Sequence, residues 1–132
     1  MRISLSMFFG AAIAAVVAVP AVALADGDAA KGAKVFKKCA ACHTATEAKN
    51  KVGPHLVGIV DRPIASVEDY KYSKAMTEHA AEVPAWTVEA LDAYLRSPKG
   101  VVKGTKMAFA GLKKDDDVEN VIAYLMDPAA AK

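Results

Sequence analysis

The sequence predicts a small all-α domain with long loops, and three observations carry this prediction. Apolar side chains recur at helical spacing in separate segments of the 132-residue chain. Glycine and proline are concentrated between these segments, where they favour irregular backbone. No segment has the strict alternation of a half-buried strand. We therefore expect about four to five helices joined by long loops, and such loops in a compact chain commonly wrap around something.

The N-terminal segment predicts a secretory signal peptide that is not part of this domain. A positively charged start precedes an apolar run from Ile3 to Leu24, and Ala23-Leu24-Ala25 matches the A-x-A cleavage pattern. The expected organisation is a signal peptide over residues 1–25 and a mature domain over residues 26–132, exported to the periplasm. The alternative is an uncleaved signal that anchors the protein in the membrane, because the run is nearly long enough to span one.

The net charge and the length of the mature domain limit the classes of function that it can have. The chain has 17 Lys and Arg against 15 Asp and Glu, and the predicted signal removes one of the arginines. The mature domain is therefore nearly neutral, which gives no indication of nucleic-acid binding. A domain this short buries only a modest core, so a disulfide, metal or cofactor is expected to contribute to its stability.

The first predicted helix covers residues 28–38, with Asp28 as its N-cap. Val35 and Phe36 supply its apolar side, and Gly32 lies where another helix can approach closely. Residues 44–67 are rich in glycine, proline and turn residues and are expected to form an irregular loop.

The later helices are predicted in the same way. Residues 68–79 are expected to form a short helix, and a helix capped by Thr87 runs to about Arg96, where Pro98 ends it. Residues 99–112 are expected to form a loop. The last helix begins with a capping-box pattern of Asp116 and Glu119 and is stopped by proline. Its apolar stripe comprises Val118, Val121, Ile122, Leu125 and Met126.

The two cysteines form the motif that carries the chemistry. Cys39-Ala40-Ala41-Cys42-His43 is C-x-x-C-H, the pattern for covalent attachment of a c-type haem. Two thiols one helical turn apart lie on one face and can add to the two haem vinyl groups, and His43 then presents an imidazole to the iron. The expected cofactor is therefore one haem c attached through two thioethers. A disulfide is a weaker explanation because it would close a very short loop.

Two other chemistries remain open for the same motif. A thioredoxin-like C-x-x-C requires a preceding strand and a βαβ context, whereas this motif ends a predicted helix. A zinc site would combine Cys39 and Cys42 with His55 or His79, yet the chain has no second C-x-x-C or H-x-x-x-H pair. The predicted signal peptide favours haem, since bacteria attach haem c outside the cytoplasm.

A single-haem electron carrier also needs a second axial ligand, and methionine suits this role because a thioether favours reduced iron. Met126 belongs to the apolar stripe of the last helix and is expected in the core. Met76 lies in a lysine-flanked stretch near the middle of the chain. Met107 lies in a glycine-containing loop, far enough from His43 along the chain to reach the opposite haem face. The expected metal ligands are therefore His43 and Met107.

Taken in order, these segments resemble the class I cytochrome c family, which includes mitochondrial cytochrome c and its bacterial relatives. The resembling segments are Gly27–Cys39 with the C-x-x-C-H motif, Gly53-Pro54, Tyr94–Pro98, Gly104–Gly111 and Val121–Leu125. The resemblance implies the small class I cytochrome c fold, wrapped around one covalently attached haem. It also implies that the Pro54 carbonyl accepts a hydrogen bond from His43, and that the last helix packs on the first near Gly32 and Phe36.

The resemblance further assigns roles to residues outside the motif. Arg62, Tyr72 and Trp86 stand where the family places groups around the inner haem propionate. Tyr94 stands where the family's tyrosine lies near the methionine sulfur. The expected cofactor-binding residues are Cys39, Cys42, Arg62, Tyr72, Trp86 and Tyr94. No catalytic residue is expected, because electron transfer breaks no substrate bond.

The predicted function is one-electron shuttling between larger membrane redox complexes, which serve as electron donor and acceptor. We expect a monomer that acts on no small-molecule substrate. Lysines flank the haem-binding segments, and we expect them to steer transient docking toward acidic partner surfaces. These lysines are Lys37, Lys38, Lys99, Lys106, Lys113 and Lys114. The acidic residues mostly lie elsewhere in the sequence.

Two other function classes use the same cofactor. A haem peroxidase would need an open or labile sixth iron position, and a ligand-binding sensor would take up carbon monoxide readily when reduced. A carrier with a stable methionine ligand would do neither.

Overall fold

A computed structural model describes residues 27–132, so the predicted signal peptide over residues 1–25 and its cleavage site lie outside the described residues. The elements in the described range are α1 (Ala29–Phe36), α2 (Lys74–Glu82), α3 (Val88–Arg96), α4 (Pro98–Val101), α5 (Asp115–Met126) and a 3-10 turn (Pro128–Ala131). Between residues 27 and 132, extended pairing is limited to one isolated bridge between Pro63 and Ala85. The all-α prediction is confirmed. None of the helices in this range is long and apolar enough to cross a membrane.

Helices α1 and α5 pack directly on each other because glycine lets their backbones approach. A Cβ added at Gly32 would overlap the backbone carbonyl of Asn120 in α5. The rings of Phe36 and Tyr124 lie 5.1 Å apart between centroids. The predicted packing of the last helix on the first is confirmed. The predicted cap is also present, since the Asp28 carboxylate accepts the Lys31 backbone N–H at 3.1 Å.

Helix α5 supplies the most deeply buried part of the core but differs from the prediction at both ends. Val118, Val121 and Ile122 are almost completely buried. Met126 is 38% exposed, so its predicted place in the core is wrong. The capping box is wrong as well, because the helix begins at Asp115 and no described side chain caps it. Three aspartates in the first turn instead interact favourably with the helix dipole.

For the middle helices, the structure corrects the predicted bounds of α2 and adds the short helix α4 after α3. Helix α2 begins after Ser73, whose hydroxyl accepts the Met76 N–H at 3.1 Å, and so the helix predicted over residues 68–79 is wrong at both ends. Helix α3 begins after Thr87 as predicted. Pro98 ends α3 but also starts the short α4, because proline suits the first turn of a helix.

Residues 37–73, here called the loop segment, contain no helix of their own and are held by contacts between distant parts of the chain. The Tyr70 hydroxyl donates to the Val52 carbonyl at 3.0 Å. The Asn50 amide donates to the Asp69 carboxylate at 2.9 Å. These contacts lie within the loop segment and hold residues 68–72 outside helical geometry. A cavity lies between the loop segment and the helices.

Candidate cofactor site

Helices and loops together enclose a largely apolar cavity of about 470 Å³. Every residue that the sequence assigned to the site lines it. These residues are Cys39, Cys42, His43, Arg62, Tyr72, Trp86, Tyr94 and Met107. Much of the remaining wall is apolar, with Ile59 from the loop segment and Leu91 from α3 among its members. Its volume falls in the range of small-molecule and cofactor sites.

His43 is oriented by the turn that follows the cysteine motif. Its Nδ1 donates to the Pro54 carbonyl at 2.7 Å, the contact that the resemblance implied. A Cβ at Gly53 would overlap the imidazole, so only glycine allows the ring to occupy this place. Burial lowers the pKa of His43, which keeps the ring neutral at pH 7. With the proton on Nδ1, the Nε2 lone pair is available to a metal.

The two cysteines lie in one continuous turn after α1. The His43 backbone N–H donates to the Cys39 carbonyl at 2.9 Å, which closes the motif into a helical turn. Both thiols are free, half-buried and part of the cavity wall. Burial raises the pKa of the Cys39 thiol. Within residues 27–132 no group of three or more His, Cys, Asp and Glu side chains is placed to hold a metal ion.

Met107 is held in the cavity wall by a small hydrogen-bond network. The Tyr94 hydroxyl lies 3.7 Å from the Met107 sulfur and donates to it. The same hydroxyl lies 3.0 Å from the Thr105 hydroxyl oxygen, which also accepts the Met107 backbone N–H at 3.3 Å. Burial raises the pKa of Tyr94, so its phenol stays protonated and remains a donor. Met76 also lines the cavity.

Arg62 has a buried N–H group that finds no hydrogen-bond acceptor among the described residues. Its Nη1 donates to the Val57 carbonyl at 3.1 Å and its Nη2 to the His55 carbonyl at 3.0 Å. Its Nε is buried and has no hydrogen-bond partner among residues 27–132. Buried polar groups are nearly always paired, so an orphaned guanidinium N–H in a cavity wall suits a carboxylate of a bound group.

Tyr72 and Trp86 complete the wall near Arg62. The Tyr72 hydroxyl accepts the Val67 N–H at 3.2 Å, which leaves its own proton free for another acceptor. The Trp86 ring is buried and packs on Tyr94, with 5.0 Å between centroids. Together the cavity offers two thiols, an imidazole lone pair, a thioether, a guanidinium and apolar walls. This donor set fits a haem with its iron, vinyl groups and carboxylates.

Sequence reasoning missed three residues around the cavity. Thr105 orients Met107, and its place two residues before the methionine was the available signal. Tyr70 lines the cavity and bonds to Val52, a contact that only the fold creates. His55 was considered as a zinc ligand, whereas its ring and carbonyl both contact Arg62.

Two of the predicted docking lysines, Lys38 and Lys106, line the cavity rim. The Lys106 ammonium donates to the Lys71 carbonyl at 3.1 Å. The Lys38 ammonium lies 3.9 Å from the Asp117 carboxylate. One acidic side chain is therefore close to Lys38 in space, although it is distant from Lys38 in sequence.

Comparison with known proteins gives the family. The sequence model of the cytochrome c family matches residues 29–127. A cytochrome c-550 from Ancylobacter novellus is 52% identical over 97 residues, which cover 73% of this chain and 91% of that protein. A cytochrome c2 from Agrobacterium tumefaciens is 46% identical over 108 residues, covering 81% of this chain and 97% of the relative. The solved structure of cytochrome cH from Methylobacterium extorquens superposes with a TM-score of 0.69 at 39% identity, covering 75% of this chain and 97% of that one. The chain thus belongs to the class I cytochrome c family.

Proposed function

We propose that this protein is a soluble periplasmic electron carrier with one haem c, bound covalently through Cys39 and Cys42 and ligated by His43 and Met107. The observation that carries the proposal is the convergence of these four side chains on one cavity. When bound, the haem supplies an iron that alternates between Fe(II) and Fe(III). The protein makes and breaks no substrate bond, so the proposal includes no catalytic residue.

The side chains around the cavity have separate tasks in this function. Pro54 holds the His43 ring through Nδ1, so Nε2 keeps one orientation in both oxidation states. Tyr94 and Thr105 hold Met107, and the Tyr94 O–H draws electron density from the sulfur, which favours reduced iron. Arg62, Tyr72 and Trp86 are proposed to surround a haem carboxylate, with the unpaired Nε of Arg62 as a donor. A cavity closed by these contacts keeps water from the iron.

Optical spectroscopy of the purified holoprotein tests this proposal. The pyridine haemochrome assay is expected to report two saturated vinyl positions, and the oxidised protein is expected to show the weak near-infrared sulfur–iron band. The colour is expected to stay with the polypeptide in acidified organic solvent. A colourless protein, or pigment that washes out, would contradict covalent attachment.

The methionine ligand has matched controls within the chain. Met107→Leu is expected to abolish the sulfur–iron band, because leucine fills similar volume without a donor atom. Met126→Leu changes a side chain that is 38% exposed, and it is expected to keep the band. Met76→Leu changes the other methionine of the cavity wall and is also expected to keep the band. Loss of the band in Met76→Leu but not in Met107→Leu would reassign the ligand.

We further propose that lysines near the haem edge steer the protein to acidic surfaces of membrane redox complexes. Lys38 and Lys106, which line the cavity rim, support this docking face. Electron-transfer rates with such a complex are expected to fall as ionic strength rises, because salt screens steering over about 10 Å. Lys106→Gln is expected to reduce the rate and its salt dependence, whereas Lys132→Gln at the end of the chain serves as the control. A rate independent of salt would overturn the docking proposal.

Export and closure of the iron site have their own tests. N-terminal sequencing of protein from the periplasm is expected to start at Asp26, and a chain that starts at Met1 in the membrane fraction would favour the anchored alternative.

Reduced holoprotein is expected to resist carbon monoxide, whereas rapid binding would favour a sensor. A stable sulfur–iron band in the oxidised state excludes the labile sixth position that a peroxidase needs.

A further inference from the structure

His55 contacts the cavity wall without being part of it. The residue follows Pro54 and is half-buried. Arg62 lines the cavity, whereas the imidazole of His55 lies against the Arg62 guanidinium. The haem ligands proposed above give His55 no task, so its side chain needs a separate explanation.

The hydrogen bonds at the imidazole define where its proton lies. Nδ1 accepts the Val57 backbone N–H at 3.3 Å. The same atom lies 3.4 Å from Nη1 of Arg62. Both neighbours are N–H donors, and the guanidinium has no lone pair to offer, so Nδ1 must be the acceptor. The neutral ring therefore carries its proton on Nε2.

The backbone of His55 reinforces the same contact. Its carbonyl accepts Nη2 of Arg62 at 3.0 Å, so one residue gives the guanidinium two acceptors. Its N–H donates to the Asn50 side-chain oxygen at 3.0 Å, which fixes the residue in the loop segment. The guanidinium is consequently held at both terminal nitrogens, and its Nε remains unpaired.

We propose that His55 is a positioning residue that fixes the Arg62 guanidinium through an unprotonated Nδ1, and so sets the charge that the cavity presents to a haem carboxylate. The inference rests on the proposed function, because a bound haem supplies both the carboxylate and the iron. Arg62 touches the haem group in this arrangement, and His55 acts through Arg62.

A proton on Nδ1 would disturb this arrangement in two ways. It would place an N–H against two donors, and it would add a positive charge beside the guanidinium. The other charged or titratable groups of the described residues at this place are Asp69, which reaches His55 through Asn50, and the Tyr72 hydroxyl beside Arg62. Neither of them accepts a hydrogen bond from the imidazole of His55, so neither would compensate the added proton.

The expected signature is a pH-dependent reduction potential. A positive charge near the haem favours reduced iron, so the potential is higher with a proton on this imidazole than with the ring neutral. A charge in this partly solvated position changes the equilibrium constant for reduction by about threefold. For a one-electron couple this corresponds to about 30 mV, at about 59 mV for each tenfold change.

Redox titrations of the holoprotein between about pH 5 and about pH 9 test the proposal across the range where histidines titrate. His55→Leu is expected to remove the about threefold, pH-dependent change in the equilibrium constant for reduction. The haem spectrum and the sulfur–iron band are expected to stay unchanged. His79→Leu changes the other half-buried histidine outside the motif, which packs near Trp86, and it is expected to keep that pH-dependent change. An unchanged pH profile in His55→Leu, or the same loss in both variants, would overturn the proposal while leaving the haem assignment intact.

A measurement on the unmodified protein decides the matter if His55→Leu does not fold. Nitrogen-15 NMR of histidine-labelled, reduced holoprotein is expected to show His55 with a protonated Nε2 and an unprotonated Nδ1 at neutral pH. A proton on Nδ1 would overturn the proposal. Absence of covalent haem in the same sample would instead overturn the proposed function, so the two failures are distinguishable.

Discussion

The α1–α5 pair and the loop segment face the same cavity, but they are held together differently. In the helix pair, Val118 and Ile122 are almost completely buried, and glycine brings the two backbones into contact. In the loop segment, buried apolar residues are sparse, and polar contacts such as that between Asn50 and Asp69 replace a core. The helix pair therefore has its own core, whereas the loop segment is expected to depend on the group that we propose binds in the cavity.

Preventing haem attachment is expected to have the largest effect, because it removes the apolar partner of the loop segment. An unfilled cavity of 470 Å³ would cost about 11 kcal/mol at about 24 cal/mol per Å³. That cost is comparable with the whole stability of a small domain, about 5–15 kcal/mol. The triple variant Cys39→Ala, Cys42→Ala, His43→Ala is expected to lose its cooperative thermal transition by circular dichroism. A transition near the wild-type Tm would show that the loop segment has a sufficient core of its own.

The next largest effect is expected where the helix backbones touch. Gly32→Val would push α1 away from the Asn120 carbonyl and is expected to destabilise the holoprotein by about 3 kcal/mol. The matched control is Gly58→Ala in the loop segment. Gly58 has a φ of +61° and open space around it, so alanine there costs only backbone strain, about 1 kcal/mol. Denaturant unfolding measures both, and equal losses would contradict the importance of close helix packing.

A smaller and more local effect is expected within the loop segment. Tyr70→Phe removes the hydrogen bond to the Val52 carbonyl and is expected to cost about 1 kcal/mol. Because hydrogen bonds of this kind hold the loop segment in place of a core, the loss is expected to appear as faster hydrogen exchange at the Gly53 N–H, which donates to the Cys42 carbonyl at 2.8 Å. Exchange in α5 is expected to stay unchanged. Tyr124→Phe in the helix pair is the control, and equal acceleration in both variants would contradict local opening.

The difference between the helix pair and the loop segment also explains which features of the fold could be predicted from the sequence. Helices α1 and α3 and the existence of α5 follow from local patterns of caps and apolar spacing, and the C-x-x-C-H motif carries the cofactor chemistry within five residues. The helix expected over residues 68–79 exists but begins only at Lys74, because Tyr70 and Asp69 bond to distant loop residues, which periodicity does not reveal. Met126 follows the apolar stripe of α5, yet it lies at the end of the helix, where the core no longer covers it.

The candidate site residues divide in the same way, into those proposed from a local motif and those that needed the family resemblance or the fold. The motif and the loop around Met107 could be proposed as site residues from sequence because each lies within a short stretch of chain, and both line the cavity. Arg62 and Trp86 could be assigned only through the family resemblance, since neither residue type is diagnostic alone. The role proposed for His55 could be inferred only from the fold, because its contact with Arg62 depends on how the loop segment turns back on itself.

The smallest effect on stability is expected at the start of α1. It depends on pH in the helix pair but not in the loop segment. The backbone N–H of Lys31 donates to Asp28 and lowers the pKa of that carboxyl below its ordinary value of 3.8. A carboxyl whose pKa is lower in the folded state stabilises the fold above that ordinary value, and the contribution is lost as the pH falls through the folded pKa. Asp28→Ser keeps a cap without the charge, so the wild type is expected to have the higher Tm at neutral pH.

That advantage of the wild type is expected to shrink toward about pH 3 as Asp28 becomes protonated. Asp28 also ties the helix pair together, because its backbone N–H donates to the Asn120 side chain at 2.8 Å. Acid should therefore loosen the helix pair from this end without a matching change at the Gly53 N–H in the loop segment. Thermal unfolding and hydrogen exchange of both proteins at the two pH values measure this. A Tm difference that stays constant or grows in acid would show that the charge of Asp28 does not stabilise the helix.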